Sequence, residues 1–303
     1  FGGGITKLFN NKNTSFTLST KIFIDRWIPI YPKELDAFVD YEGDTEVGVF
    51  YNKPIYNQNG TISKNWAPIQ NFKLIENKSR NTYSFSFLFS QIINKNAQVS
   101  FFVDFIKQKG WLANPLQRVY FSDIENFYIG NPNSISVYTS DENKDVFHLA
   151  DDIERLPETR TKIPFGLRFN YFLSENFTVR SYYRFYTDNW GIKSHTLKFE
   201  LPIKILNNFT LYPSYRFYHQ SEADHFKPYD QHLSSSSYYT SDYDLSKFKS
   251  NQVGFGIKYV DIFTKLGFWA IGLKSIDLNY SYYARDSNFK SEIVSLGFKF
   301  IID

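Results

Sequence analysis

The chain has 303 residues, 34 Lys and Arg against 31 Asp and Glu, a formal net charge of +3, and no cysteine. Charge this near balance gives no general electrostatic case for nucleic-acid binding, and the missing thiols exclude disulfides, thiolate metal sites and thiol nucleophiles. Aromatics reach 20% of residues, with 32 Phe and 23 Tyr, yet mean hydropathy is negative, and no run of about 18 apolar residues reads as a membrane-spanning helix.

Strand side chains alternate between two faces, and the chain shows that period from end to end. Its first segment, FGGGITKLF from Phe1 to Phe9, opens as if in mid-strand, so further chain is expected upstream. Phe16, Leu18, Ile22 and Ile24 alternate with Thr17, Ser19, Lys21 and Asp25. Tyr83, Phe85, Phe87 and Phe89 alternate with serines, and Val99, Phe101, Val103 and Phe105 with Ser100 and Asp104. Ile163, Phe165, Leu167 and Phe169 oppose Lys162, Gly166, Arg168 and Asn170. Phe177, Val179, Tyr183 and Phe185 oppose Thr178, Arg180, Tyr182 and Arg184. Leu197, Phe199 and Ile203 oppose Lys198, Glu200 and Lys204, and Phe209, Leu211 and Phe217 oppose Tyr212, Arg216 and Gln220. Three more segments, at Val253–Tyr259, Ile276–Tyr282 and Val294–Phe300, repeat the pattern.

Segments of about ten residues, apolar on one face and rich in Tyr, Ser, Gly and Arg on the other, predict a transmembrane antiparallel β-barrel with oil outside and water inside. A soluble sandwich also alternates, but its polar faces would be rich in Lys and Glu. Short connections (NNKNT, NKNA, SEN, LNN) alternate with long ones at Ile28–Asn81, Gly110–Thr161 and Ser221–Ser250. That is the pattern of short periplasmic turns and long extracellular loops in an outer-membrane barrel. The reading is a single domain over residues 1–303 in the outer membrane of a Gram-negative bacterium, with about eleven strands visible. Single-chain bacterial barrels are even-numbered, and unpaired backbone in lipid costs several kcal/mol per group. An odd number of further strands, or a partner closing the sheet, is therefore expected.

The candidate site is a basic wall. Arg168, Arg180, Arg184, Lys198, Lys204 and Arg216 come from successive strands and share the polar face with Glu200. They form either an anion-attracting surface or, paired with Glu200, Asp188 and loop acids, a structural prop. No catalytic residue, cofactor or metal site is assigned. SEADHFKPYDQH holds Glu222, Asp224, His225, Asp230 and His232 on one loop, read as solvated rather than metal-binding. TSDENKD and TSDYD lack the spacing of a calcium loop.

ADDIERLPETR (Ala150–Arg160), YYRFYTDNWGIKSHT (Tyr182–Thr196) and LYPSYRFYHQSEADHF (Leu211–Phe226) resemble an uncharacterised family of Gram-negative outer-membrane barrels, over nearly the whole chain. The resemblance implies about five further strands, sixteen in all. Its recurrent residues fall here on Arg155, Arg160, Tyr186, Asp188, Trp190, His195 and Gln220, among others. It also implies a neighbourhood of small lipoproteins and of flavin-attachment or thioredoxin-like proteins, hence lipoprotein or periplasmic partners besides outer-membrane lipid. Trp190, Gly191 and His195 are expected in one tight outer turn, with His195 bonded to a neighbouring loop. Two functions follow as expectations: a pore or transporter for small, anionic solutes, or a loop-plugged structural barrel that anchors partners.

Overall fold

The computed structural model describes residues 1–27, 53–64, 66, 78–262, 267–268 and 271–302. Its main sheet has 13 strands, of which Ile203–Lys204 and Gly267–Phe268 are two-residue pieces prolonging their neighbours. The eleven long strands are β1 (Gly2–Phe9), β2 (Thr14–Trp27), β3 (Lys78–Asn94), β4 (Ala97–Gly110), β5 (Thr159–Ser174), β6 (Phe177–Asp188), β7 (Lys193–Glu200), β8 (Phe209–Gln220), β9 (Phe248–Val260), β10 (Ile271–Arg285) and β11 (Lys290–Ile302). Each pairs antiparallel with the next in chain order. Among the described residues, β1 pairs only with β2 and β11 only with β10, so this sheet is an open wall.

Register shows why the alternation matters. One cross-strand row runs Phe16, Phe89, Phe101, Leu167, Tyr183, Leu197, Phe217. The row beside it runs Ser15, Ser90, Ser100, Arg168, Tyr182, Lys198, Arg216, Gln252. The face of the first row points outward with no second layer packed over it: Phe16, Phe101, Leu167 and Tyr183 of that row are exposed, as are Phe85, Phe105, Phe199, Val253 and Phe255 in other rows of the face. Leaving one such side chain in water forgoes about 1.5–3 kcal/mol of burial. A continuous face of them needs hydrocarbon as its medium, so the wall is that of an outer-membrane β-barrel. The polar face lies on the tighter, inner curve. Gly166 sits there so closely that a Cβ would meet the Tyr183 carbonyl at 2.1 Å and the Phe102 ring at 2.8 Å.

The expected registers hold, with Phe165, Phe185, Phe199 and Phe217 outward and the even residues from Lys162 to Gln220 inward. The short inner turns also hold. In the first, Asn10, Asn11 and Lys12 take positive φ, a region Asn tolerates. The strands are longer than the pattern suggested, starting at Lys78, Thr159 and Phe248. Two outer connections are short as well, at 189–192 and 286–289. Most of the expected loop Ile28–Asn81 lies outside the described residues.

Most of the best-buried side chains are in the long loops rather than the wall. Residues 111–158 and 221–247, with 53–64 and Trp66, fold into a cap at the outer end. Val119, Phe121 and Tyr239 form one apolar cluster, and Ile55, Tyr120, Ile129, Leu149 and Ile153 belong to another. Short strands (Ile55–Asn57, Phe127–Gly130, Val146–His148) pair within it. The solvated reading of SEADHFKPYDQH is corrected at His232, while Glu222 and Asp224 are exposed. His232 is fully buried and bonds the Thr240 carbonyl at 2.9 Å, because the loop packs against residues 119–121 rather than against water.

Candidate functional site

The inner wall assembles most of the basic residues on adjoining strands. Arg168, Lys198 and Arg216 share one row with Tyr182 between the first two. Arg184, opposite Gly166, lies one inner row toward the outer end, and the Arg180–Glu200 pair one row toward the periplasmic end. Lys204 does not join them, since it sits by the inner turn opposite Thr210.

Their partners divide the cluster in two. Glu200 accepts from Arg180 Nη1 at 2.9 Å and from Lys198 Nζ at 3.0 Å, so these two cations are neutralised in part. Arg168, Arg184 and Arg216 have no carboxylate partner among the described residues. Instead they lean on aromatic faces. Arg168 lies 5.1 Å from the Phe102 centroid and 5.8 Å from that of Tyr182, two rings stacked on each other. Arg184 lies 5.8 Å from Tyr186 and Arg216 5.6 Å from Tyr218. The Nε of Arg184 is buried without an acceptor. Two cavities share Arg168 and Tyr182: one of about 290 Å³ that adds Arg184, Asp104 and Pro164, and one of about 350 Å³ that adds Arg180, Lys198 and Glu200. Guanidinium groups with open donors on an inner, ring-lined surface suit an anion.

The motif residues collect at the rim. Asp188 accepts from Arg160 at 2.8 and 2.5 Å, from the Tyr186 hydroxyl at 2.7 Å, and from the Trp190 and Ile192 amides at 3.0 and 3.1 Å. The Arg160 guanidinium lies 4.2 Å from the Trp190 ring centroid, and the Trp190 indole N–H donates to the Thr159 carbonyl at 3.1 Å. Gly191 turns the chain at φ +87°, and a Cβ there would meet Asp224 Oδ1 at 2.1 Å. Gln220 is buried and donates to the Ser246 carbonyl at 2.6 Å. Arg155 holds Asp152 at 2.8 Å.

Trp190 and Gly191 thus sit in the expected turn, but His195 does not. It is a strand residue of β7 on the outward face, where its Nδ1 bonds the Tyr183 hydroxyl at 2.8 Å and its ring meets Phe185 edge-on. Its odd position in β7 sends it outward with Leu197 and Phe199, away from any loop.

Sequence reasoning missed the cap's polar interior. His148 bonds Tyr229 and is ringed by Tyr120, Tyr128, Tyr138 and Tyr229, with its Nε2 buried and unpartnered. Burial pulls its pKa down to about 4. Asp151 accepts from the Phe121 amide at 2.7 Å. Glu154 accepts from the Thr240 hydroxyl and the Asn114 amide, both at 2.5 Å. Burial pushes both carboxyls up to about 7. The available signal was the acid run of ADDIE set between Leu149 and Leu156, which suits buried and hydrogen-bonded acids better than solvated ones. Among the described residues no His, Asp and Glu group is placed to hold a metal ion.

A family model described as "Protein of unknown function (DUF3570)" matches residues 1–296. No curated protein matches the chain. Among solved structures, the outer membrane channel DcaP of Acinetobacter baumannii shows 9% identity and a TM-score of 0.42, over 98% of this chain and 60% of that one. The TodX monoaromatic hydrocarbon channel shows 9% and 0.46, over 100% and 73%. The ferric enterobactin receptor of Pseudomonas aeruginosa shows 9% and 0.42, over 98% and 38%. The chain therefore spans less than two thirds of two of these proteins. At such identities and TM-scores, no residue role or cargo passes from them to this chain.

Proposed function

The chain belongs to the family described as protein of unknown function (DUF3570), and on that premise we propose that this wall forms part of an outer-membrane pore for small anionic solutes. The carrying observation is that Arg168, Arg184 and Arg216 line the inner face with no carboxylate partner among the described residues, and that Arg184 keeps a buried, unused N–H. Rings of Arg and Lys in a pore favour anions. The test is ion selectivity of the full-length protein in planar bilayers. Replacing Arg184 and Arg216 with Ser should lower anion over cation permeability while the folded barrel keeps its mobility on unboiled gels. Unchanged selectivity in a conducting double variant overturns the reading.

The cap supports a second reading. Its loops carry their own apolar clusters and sit at the outer end of the wall, as in a loop-plugged barrel that anchors lipoprotein or periplasmic partners. Wild-type conductance near zero, together with a protein that co-purifies in fixed proportion, would favour that function over the pore.

A further inference from the structure

The outward face of β2–β4 carries a feature that solute passage does not use. At mid-height it is apolar, but near the outer end a groove of about 310 Å³ opens between Ile22, Tyr83, Phe85 and Phe105, bordered by Lys107 and Thr161. Ile22, Tyr83 and Lys107 are partners in one cross-strand row. The next outward row places Ile24, Asn81 and Lys109 together, and the row above brings Arg26 opposite Ser79. Rows of one face are about 7 Å apart along the strand. Lys107, Lys109 and Arg26 thus climb from the groove toward the rim on the lipid-facing side. All three are exposed, and none has an ion-pair partner among the described residues.

We propose that this groove and its three cations form a binding site for a phosphorylated, acylated glycolipid of the outer leaflet, with an acyl chain along Ile22, Tyr83, Phe85 and Phe105 and the head-group phosphate at Lys107, Lys109 and Arg26. Three observations favour this one occupant. The groove faces hydrocarbon, so its filling is apolar. The cations begin where the aromatic rows of this face end, so a chain lying in the groove would bring its head group to them. Free phosphate would use the cations but leave the groove without a role. Two other outward cations near the rim are differently placed. Lys193 and Lys249 line neither this groove nor the one between Phe209, Ile257 and Leu296.

The experiment uses the full-length protein extracted in mild detergent, with native mass spectrometry of bound lipid and titration with purified lipid A. Wild type is expected to retain one phosphorylated glycolipid. The triple variant R26Q/K107Q/K109Q should bind lipid A roughly a hundredfold more weakly, from a factor of about five for each cation near the membrane surface. The control K193Q/K249Q should bind as wild type does. Equal retention by the triple variant overturns the site, and so does an equal loss in the control, which would mark general surface charge. A second titration guards against misfolding of the triple variant: wild type with deacylated sugar phosphate or inorganic phosphate in place of lipid A. Binding as tight as that of lipid A would remove the groove from the site and overturn the proposal.

Discussion

Arg160 and Asp188, 28 residues apart, meet at the rim in a paired contact of 2.8 and 2.5 Å, with the carboxylate wholly buried and the guanidinium nearly so. The pair joins the start of β5 to the end of β6, and Trp190 closes over the guanidinium. Removing one partner of a buried pair leaves an uncompensated charge, at a cost of about 3–5 kcal/mol. Asp188→Ala is expected to destabilise the barrel by that order, read as a lower urea midpoint for unfolding from detergent. Arg160→Lys keeps the charge but loses the forked contact and the stacking on Trp190, and it should fall between the two. An Asp188→Ala barrel as stable as wild type would refute a structural role for the pair.

Gly191 fixes how the cap meets the wall. Its φ of +87° and the 2.1 Å approach of Asp224 leave no room for a methyl group. Gly191→Ala should loosen the 221–247 loop and speed its cleavage by added protease by about tenfold or more, since left-handed backbone costs a non-glycine residue about 1–2 kcal/mol before the clash is counted. Asp224→Gly in the same chain removes the clash and should restore part of the protection. Cleavage at the wild-type rate in Gly191→Ala would contradict this geometry.

Glu200 offers a test of opposite sign to the arginine replacements. Glu200→Gln releases Arg180 and Lys198 and should raise anion over cation permeability in the conducting protein. Both cations are substantially exposed, so the stability change should stay within about 1 kcal/mol. Selectivity that moves toward cations would count against an inner wall read by its net charge.

The cap should depend on pH through its buried groups. Asp151 and Glu154 have folded-state pKa values raised to about 7, so the folded cap holds protons that the unfolded chain releases. Their stabilising effect is present below the unfolded carboxyl range and fades as pH rises from about 4 to about 7. His148, lowered to about 4, acts in reverse, adding stability as pH rises from about 4 to 6.5. Two groups oppose one, so the protection of amides in residues 111–158 against exchange, taken relative to the intrinsic base-catalysed rate, should fall from pH 5 to pH 8. Asp151→Asn with Glu154→Gln should flatten that slope. An unchanged slope would show that these carboxyls do not set it.

The wall was legible because a period of two needs only local reading: Phe165 and Phe185 face outward, and Arg168 and Arg184 inward, by parity alone. Parity would have avoided the error on His195, which the motif drew toward the turn although its odd position in β7 puts it outward. Pairings between distant segments were not legible. Nothing local in ERLPETR says that Arg160 meets Asp188, which turns on the register of β5 against β6, or that Glu154 accepts from Thr240, which depends on how long loops cross above the sheet. The split of the basic wall into Glu200-bound and unpaired cations was equally hidden, since it turns on single rows of register.

The two loops of the cap flank β5 to β8 in the chain, and they meet above those four strands. The Ser122 amide donates to the His232 carbonyl, Asp123 accepts from Ser234 across 111 residues, and Arg155 exchanges backbone bonds with Tyr239. Closing a loop across so many residues carries an entropic cost that is already met once the hairpins between them stand side by side. The cap is thus a late event in assembly that records whether the strands beneath it have been set in order. An antibody that binds only the joined surface of residues 119–123 and 232–240 would recognise a discontinuous epitope and would stain finished barrels while passing over chains still being inserted.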